Sequence, residues 1–268
     1  MAGHPTPKPV LVALFDAFDS IDAICAELDD RQWAHMTECP GWSVKDVISH
    51  LIGIESMVIG RPATTHRATA LAHVRNPLGE MNEHEVDARR DVSGSAVLAE
   101  WREVSSIRRA LLVAADDDWF AAPTDTPVGS GTNEDFIAIR TLDVWVHEQD
   151  IRRALGLPGH DTGPAAELTI DRLARSLPMI LGKRAAAGDG QSAAIVLSGP
   201  VERRWTLTVS GGRGTFADVD DPDATLTMRS DDFVALATGR CGPHEATWTS
   251  EGDSDLVARI VASLNVMV

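Results

Sequence analysis

A change of periodicity near residues 157–163 limits the folds that this chain can adopt. Before it, apolar residues recur every three or four positions, which is typical of amphipathic helices. The stretch itself, LPGHDTG, carries the proline and glycines that end a helix. After it, SAAIVLSG, ERRWTLTVS and DATLTMRS are short runs rich in β-branched residues, which favour strands. The sequence therefore predicts an α+β multidomain protein, with a helical domain over residues 1–160 and a small α+β domain over residues 161–268.

The helical part contains four segments long enough to form a four-helix bundle. They cover residues 10–28, 44–59, 79–115 with a break at 93–94, and 133–155. Ser43, with Asp46 three residues later, is a variant of the capping box that starts a helix. Residues 116–136 are expected to be a long, turn-rich connection between the third and fourth helices. In such a bundle, the inward faces of the helices build the functional site.

The second part is expected to begin with a helix and then form a sheet. The predicted helices cover residues 164–187, 231–238 and 253–264, and a further strand is expected near residues 245–250.

One helical segment, residues 139–155, places a carboxylate and an imidazole in a metal-binding spacing. Asp143 and His147 are four residues apart, so their side chains are neighbours on one helix face. A third ligand is expected from His50, because no other remaining histidine lies within a strongly apolar helical pattern. Three protein ligands leave one tetrahedral position open, which is the arrangement of a catalytic rather than a structural zinc site.

Charge and cysteine content restrict the partners that this protein can have. The chain has 40 acidic and 24 basic residues and a formal charge of -16, which would repel nucleic acid and anionic lipid. Its three cysteines are widely spaced and indicate neither a disulfide framework nor a CxxC metal site. No apolar run is long enough to span a bilayer. We expect a cytoplasmic protein, a monomer or weak homodimer, that binds neither of these partners.

Two motifs, CPGWSVKDVISHLIGIE and AIRTLDVWVHEQDIRRALG, resemble the mycothiol-dependent maleylpyruvate isomerase family of the DinB-like metalloenzyme superfamily. Downstream, DATLTMRSDDFVALATGR and EGDSDLVARIVASL resemble the small sterol-carrier-like domain that such proteins append. The resemblance covers nearly the whole chain. It implies a DinB-like bundle in which His50, Asp143 and His147 hold zinc. The characterised isomerases have glutamate where this chain has Asp143.

The resemblance also implies chemistry at a zinc-activated thiol. Mycothiol would be the co-substrate, and its zinc-bound thiolate would attack a maleylpyruvate-like unsaturated diacid for isomerisation, or an electrophile for S-transfer. No protein cysteine is needed in this scheme. We therefore expect Cys39 to be structural and no cysteine to lie in a ligand-like setting.

Further residues have two interpretations each. Arg240, in a GRCG turn of the second domain, is either a surface arginine or a group that binds a substrate carboxylate, as the resemblance implies. Asp150 either orients His147 or pairs with Arg152 or Arg153 on its own helix.

Two tryptophans and two further histidines are also expected near or outside the site. Trp42 and Trp145 are expected in the core beside it, whereas His66 and His73 are expected to be solvated rather than ligating.

Two other functions fit the same residues. One is a small-ligand-binding protein whose metal is only structural, and the other is a zinc-dependent hydrolase that activates water without a thiol. A coordination number of four protein ligands would favour the first. Turnover without mycothiol would favour the second.

Overall fold

The computed structural model describes residues 8–69 and 72–267. The chain divides into two compact units, one reaching to Ala165 and one spanning Ala166–Met267. The first is mainly helical and the second contains a five-stranded sheet, so the predicted order of a helical part followed by a sheet is confirmed. None of the helices in the described ranges combines the length and the apolar character that a membrane crossing demands.

The first unit consists of helices and one short hairpin. Its elements are α1 Pro9–Ala26, α2 Asp30–Trp33, α3 Val44–Val58, α4 Pro77–Asp87, α5 Gly94–Ala114, α6 Asp117–Ala121, β1 Pro123–Thr126, β2 Gly129–Thr132 and α7 Asn133–Leu155. The helix α1 packs against α5 and α7, while α3 packs against α4, α5 and α7. In the core, the rings of Phe18 and Trp101 meet edge to face with centroids 5.0 Å apart, and both side chains are fully buried.

The two helices that carry the predicted ligands have well-defined ends. A capping box between Ser43 and Asp46 starts α3, and a second one between Thr132 and Asp135 starts α7. Such a cap contributes about 1 kcal/mol to helix stability. Gly156 ends α7 in the left-handed conformation, with φ 64°, which glycine adopts without steric cost. These caps fix the register of both helices and so the depth of their side chains.

The connection expected over residues 116–136 is more regular than its sequence indicates. It contains α6 and an antiparallel hairpin in which β1 pairs with β2 from Pro123↔Thr132 to Thr126↔Gly129. The strands have only four residues each and include proline and glycine, so they lack the alternating apolar pattern that predicts a strand.

The second unit begins with helical segments and continues into the sheet. Its elements are α8 Pro164–Ala174, α9 Leu177–Met179, a π-helical turn at Ile180–Arg184, β3 Ser192–Ser198, β4 Arg203–Ser210, β5 Arg213–Phe216, β6 Ala224–Arg229, α10 Ser230–Ala237, β7 Trp248–Gly252 and α11 Ser254–Ala262. The strand order is β5-β4-β3-β6-β7, with β3 and β6 parallel and the other pairs antiparallel. Both α10 and α11 contact β6.

The prediction of a single helix over residues 164–187 is wrong. The helical segment is interrupted after Ala174. Pro178, which has no N–H to continue the helical hydrogen bonds, lies in the short α9. The π-helical turn at Ile180–Arg184 packs against β5, a strand that the sequence did not predict. A Cβ atom on Gly182 would collide with the backbone of Gly214, so the absence of a side chain permits this approach.

Candidate metal centre

The side chains of His50, Asp143 and His147 converge between α3 and α7. The Nε2 atom of His50 lies 3.3 Å from Oδ2 of Asp143, and Nε2 of His147 lies 3.8 Å from Oδ1 of the same carboxylate. The two imidazole rings are 4.9 Å apart at their centroids and inclined by 68°. One donor atom from each residue lies within 4.8 Å of the other two, so these atoms can face a single ion. We call this group the His50 triad.

Several charged side chains of α7 are buried. They are Arg140, Glu148 and Asp150. Ionised groups in such a position have to be paired, since burial of an isolated charge is costly. The partners of these groups therefore determine the shape of the site.

Asp150 makes both of the contacts that the sequence left as alternatives. Its Oδ2 atom lies 3.0 Å from Nδ1 of His147, and its Oδ1 atom accepts a hydrogen bond of 2.7 Å from Nη2 of Arg153. Burial, the largest single influence, would lower the pKa of His147. The hydrogen bond with Asp150 and the interactions with Cys39 and Asp143 together outweigh it and raise that pKa to about 10. A carboxylate on the far nitrogen also fixes the ring orientation and directs Nε2 towards Asp143.

A buried arginine that the sequence analysis missed holds Asp143. Arg140 donates from Nη1 to Oδ2 of Asp143 at 2.7 Å and from Nε to Oε1 of Glu55 at 2.9 Å. Burial would raise the pKa of Asp143, but the nearby charges, Arg140 first and then His50, hold it well below its usual range. The i, i+3 spacing of Arg140 and Asp143, and an isolated glutamate within the apolar α3, are the sequence signals that could have indicated this pair.

The electrostatic environments of the two histidines differ. Burial lowers the pKa of His50 despite the attraction of Asp143, so its imidazole is neutral and able to donate a lone pair to a metal. His147 is held in the protonated form by the carboxylates around it. A metal would have to displace that proton before His147 could bind it.

A small cavity lies beside His50 on α3. Its volume is about 30 Å³, which is room for about two water molecules. Ser56 and Asn82 also line it, and Oγ of Ser56, Oδ1 of Asn82 and Nδ1 of His50 have no hydrogen-bond partner among the described residues. Buried polar atoms of this kind are normally satisfied by water.

The expectation that no cysteine lies in a ligand-like setting is wrong. The thiol of Cys39 donates to Oδ2 of Asp150 at 3.2 Å, and its Sγ atom lies 3.8 Å from Nδ1 of His147. The CPGW turn produces this contact, because its backbone folds back through hydrogen bonds from Thr37 Oγ1 to the Trp42 carbonyl and from the Cys39 N–H to Thr37 Oγ1. More than 100 residues separate Cys39 from its partners, so spacing in the sequence could not indicate it.

The two tryptophans are placed differently. Trp145 is buried and donates its Nε1–H to the carbonyl of His160. Trp42 is only half-buried, lies 5.1 Å from the His50 ring and 6.0 Å from that of His147, and donates to Glu83. It therefore forms a wall of the site rather than part of the core.

The remaining candidates lie apart from the triad. His66 pairs with Asp87 and His73 with Glu83, and neither joins a potential metal-ligand group within the described ranges.

Arg240 belongs to the second unit, where its Nη1 donates to the carbonyl of Thr238 at 2.8 Å. It is half-buried and lines a cavity of about 450 Å³, together with Glu245 and Asn265.

The fold and the site together define a class of protein with a helical first unit, which carries a two-histidine, one-carboxylate group, and a sheet-containing second unit. Two family models match these units: the mycothiol maleylpyruvate isomerase N-terminal domain over residues 14–152, and the C-terminal domain of the same family over residues 167–259. The chain belongs to the mycothiol-dependent maleylpyruvate isomerase family.

Relatives and solved structures agree with this membership at low identity. The chain is 26% identical over 159 residues to an uncharacterized protein of Mycobacterium tuberculosis, a match that covers 56% of this chain and 58% of that protein. A second uncharacterized protein of that organism is 27% identical over 170 residues, which is 63% of this chain and 79% of the relative. The chain thus spans somewhat over half the length of the first of these relatives.

Among solved structures, the crystal structure of the mycothiol-dependent maleylpyruvate isomerase matches with a TM-score of 0.55 and 16% identity, covering 90% of this chain and 91% of that one. A mutant of the same enzyme matches with a TM-score of 0.55 and 17% identity. At such identities the likeness concerns the fold.

Proposed function

We propose that this protein is a metal-dependent enzyme that activates the thiol of mycothiol. Its reaction is either the isomerisation of a maleylpyruvate-like diacid or the transfer of the thiol to an electrophile. The observation that carries the proposal is the convergence of three metal-donor atoms from α3 and α7 in a protein of this family. Family membership supports mycothiol as the co-substrate.

The donor set fits a divalent metal of the zinc type. Two imidazoles and one carboxylate are common zinc ligands, and sites with three protein ligands leave a position for a reacting molecule. The neutral His50 and the ionised Asp143 are already in the protonation states that a metal requires. When bound, the metal would lower the pKa of a thiol and so supply a thiolate at neutral pH.

The residues around the triad serve it in distinct ways. Asp150 keeps the His147 ring oriented, and Arg140 fixes the Asp143 carboxylate by a hydrogen bond to Oδ2. This bond leaves Oδ1, the oxygen that faces His147, to coordinate the metal. The shorter side chain of Asp143, compared with the glutamate of characterised isomerases, is thereby held in one position.

Substrate recognition is assigned to Arg240. We propose that its guanidinium binds a carboxylate of the substrate, since two parallel N–H donors match a carboxylate well. The cavity that Arg240 lines has room for a small organic acid.

Several finer features remain part of the proposal. These are the DinB-like four-helix arrangement of the first unit, the sterol-carrier-like character of the second, zinc as the metal, and a cytoplasmic location. The pairwise packing of α1, α3, α5 and α7 supports the first of them.

The decisive experiment measures turnover of a cis-unsaturated diacid, and of an electrophilic S-transfer substrate, with and without mycothiol. We expect activity only when both metal and mycothiol are present. Equal rates without mycothiol would reject the thiol mechanism and favour a hydrolase that uses metal-bound water.

Metal content of variants tests the ligands. His147→Ala should reduce the bound metal sharply, while His66→Ala, which changes a histidine outside the triad, should leave it unchanged. Full occupancy in a variant that lacks both His50 and His147 would show that the metal lies elsewhere.

A further inference from the structure

A second group of metal donors lies on the opposite side of the His147 ring. It consists of Sγ of Cys39, Nδ1 of His147 and Oδ2 of Asp150, and we call it the Cys39 cluster. The His50 triad uses Nε2 of the same imidazole. The two groups thus share a residue but no atom.

The separations within the Cys39 cluster are those of ligands around one small cation. They are 3.0 Å between Nδ1 and Oδ2, 3.2 Å between Sγ and Oδ2, and 3.8 Å between Sγ and Nδ1. Tetrahedral zinc with Zn–N near 2.0 Å and Zn–S near 2.3 Å requires donors about 3.3–3.5 Å apart. Shifts of a few tenths of an ångström would therefore complete the geometry.

The surroundings of the cluster also suit a cation. Asp150 is fully buried, and Arg153 occupies its Oδ1 atom, which directs Oδ2 towards the cluster. Cys39 is half-buried in the CPGW turn, so a cation can reach the cluster from its side. A set of sulfur, nitrogen and oxygen donors favours a thiophilic ion such as zinc, cobalt(II) or cadmium over magnesium or calcium.

We propose that Cys39, His147 and Asp150 form a second site for a thiophilic divalent cation, beside the site proposed above. Binding there forms three coordinate bonds and releases the thiol proton of Cys39 and the Nδ1 proton of His147 to solvent. With both sites occupied, the ring of His147 would be deprotonated at both nitrogens. The carboxylates of Asp143 and Asp150, the Cys39 thiolate and this imidazolate would then supply four negative charges to two divalent cations, next to the guanidinium groups of Arg140 and Arg153.

Cobalt(II) alone is a suitable probe, because a cobalt–thiolate bond gives an intense near-ultraviolet charge-transfer band that nitrogen and oxygen ligands do not give. The wild-type protein should bind two equivalents of cobalt and show this band. Two variants that disable the triad, His50→Ala and Asp143→Asn, should bind one equivalent and keep the band. Asp143→Asn preserves the size of the side chain, so it guards against a folding defect in the other variant.

The complementary variant is Cys39→Ser, which should bind one equivalent without the band. Cys241→Ser, which alters a cysteine of the second unit, is the matched control and should behave like the wild type. Loss of the band in both triad variants, or its persistence in Cys39→Ser, would overturn the second site. Failure of Cys39→Ser to bind any cobalt would instead contradict the triad and the proposed function, so the two failures are distinguishable.

Discussion

Replacement of Arg140 by methionine tests whether a buried charge network holds the site. The guanidinium bonds Glu55 at 2.9 Å and Asp143 at 2.7 Å, and Glu55 is completely buried. Without Arg140, the one ion-pair partner left to the Glu55 carboxylate within residues 8–69 and 72–267 is Arg108, whose Nε lies 3.3 Å from Oε2. Removal of one member of a buried ion pair costs about 3–5 kcal/mol, because the other charge remains in a medium of low polarity. We expect a loss of this size in the metal-free protein at neutral pH.

The assay has to isolate the first unit, because a chain with two units does not have one well-defined free energy of unfolding. Amide hydrogen exchange of α3 and α7 in increasing urea reports their opening directly. The matched control is Arg102→Met, in the same unit. Arg102 pairs with Asp22, but both side chains are substantially exposed, so the pair should contribute less than about 1 kcal/mol.

A double-mutant cycle sharpens the Arg140 test. Combining Glu55→Gln with Arg140→Met should cost less than the sum of the single changes, by about 1–3 kcal/mol, because loss of Arg140 then no longer leaves a buried charge at position 55. A cost below about 1 kcal/mol for Arg140→Met alone, or strict additivity, would refute the reasoning.

Three further predictions concern single residues. Hydrogen bonds to Glu148, and to Asp16, raise the pKa of His160 to about 9, above the unfolded value of about 6.5, so its stabilisation should be complete below about pH 6.5 and be lost as the pH rises through 9. His160→Gln should abolish this pH dependence in the urea-dependent hydrogen exchange of α7. Asp150→Asn should weaken metal binding about 10- to 100-fold in chelator competition, because it disturbs the group that orients His147; unchanged affinity would contradict this role. Arg240→Ala should raise KM for an anionic substrate about 10- to 100-fold with unchanged metal content, since a charged hydrogen bond contributes about 1.5–3 kcal/mol. An unchanged KM would mean that Arg240 does not bind the substrate.

Capping residues and a terminal glycine predicted the helices whose ends depend on neighbouring residues in the sequence. The helices that carry His50 and His147 begin at side-chain caps, and Gly156 ends α7, so their limits could be read from a few adjacent residues. The sequence did not predict the hairpin of β1 and β2 or the strand β5. Backbone pairing and close contacts at glycines form these elements, and neither leaves an apolar pattern in the sequence.

The same distinction applies to the site. The spacing of Asp143 and His147 on one helix is local and predicted their proximity. The contacts of Cys39 with α7 and of Glu55 with Arg140 join residues 85 or more positions apart, and they depend on how α3, α7 and the CPGW turn pack. A single sequence contains the residue types for such contacts but no information on their pairing.

The network around Arg140 has a consequence for the stability of the protein when the proposed metal is absent. In small zinc domains the ion is the main support of the fold, and its loss unfolds the chain. Here, by contrast, the carboxylate of Asp143 is already neutralised by a fixed guanidinium, and the rings of His50 and His147 lie at a contact distance of 4.9 Å. These contacts hold the three side chains of the triad together within the protein. If the proposed ion binds there, we expect the fold to survive its chelation, so that metal supply would control the proposed activity and not the abundance of the protein.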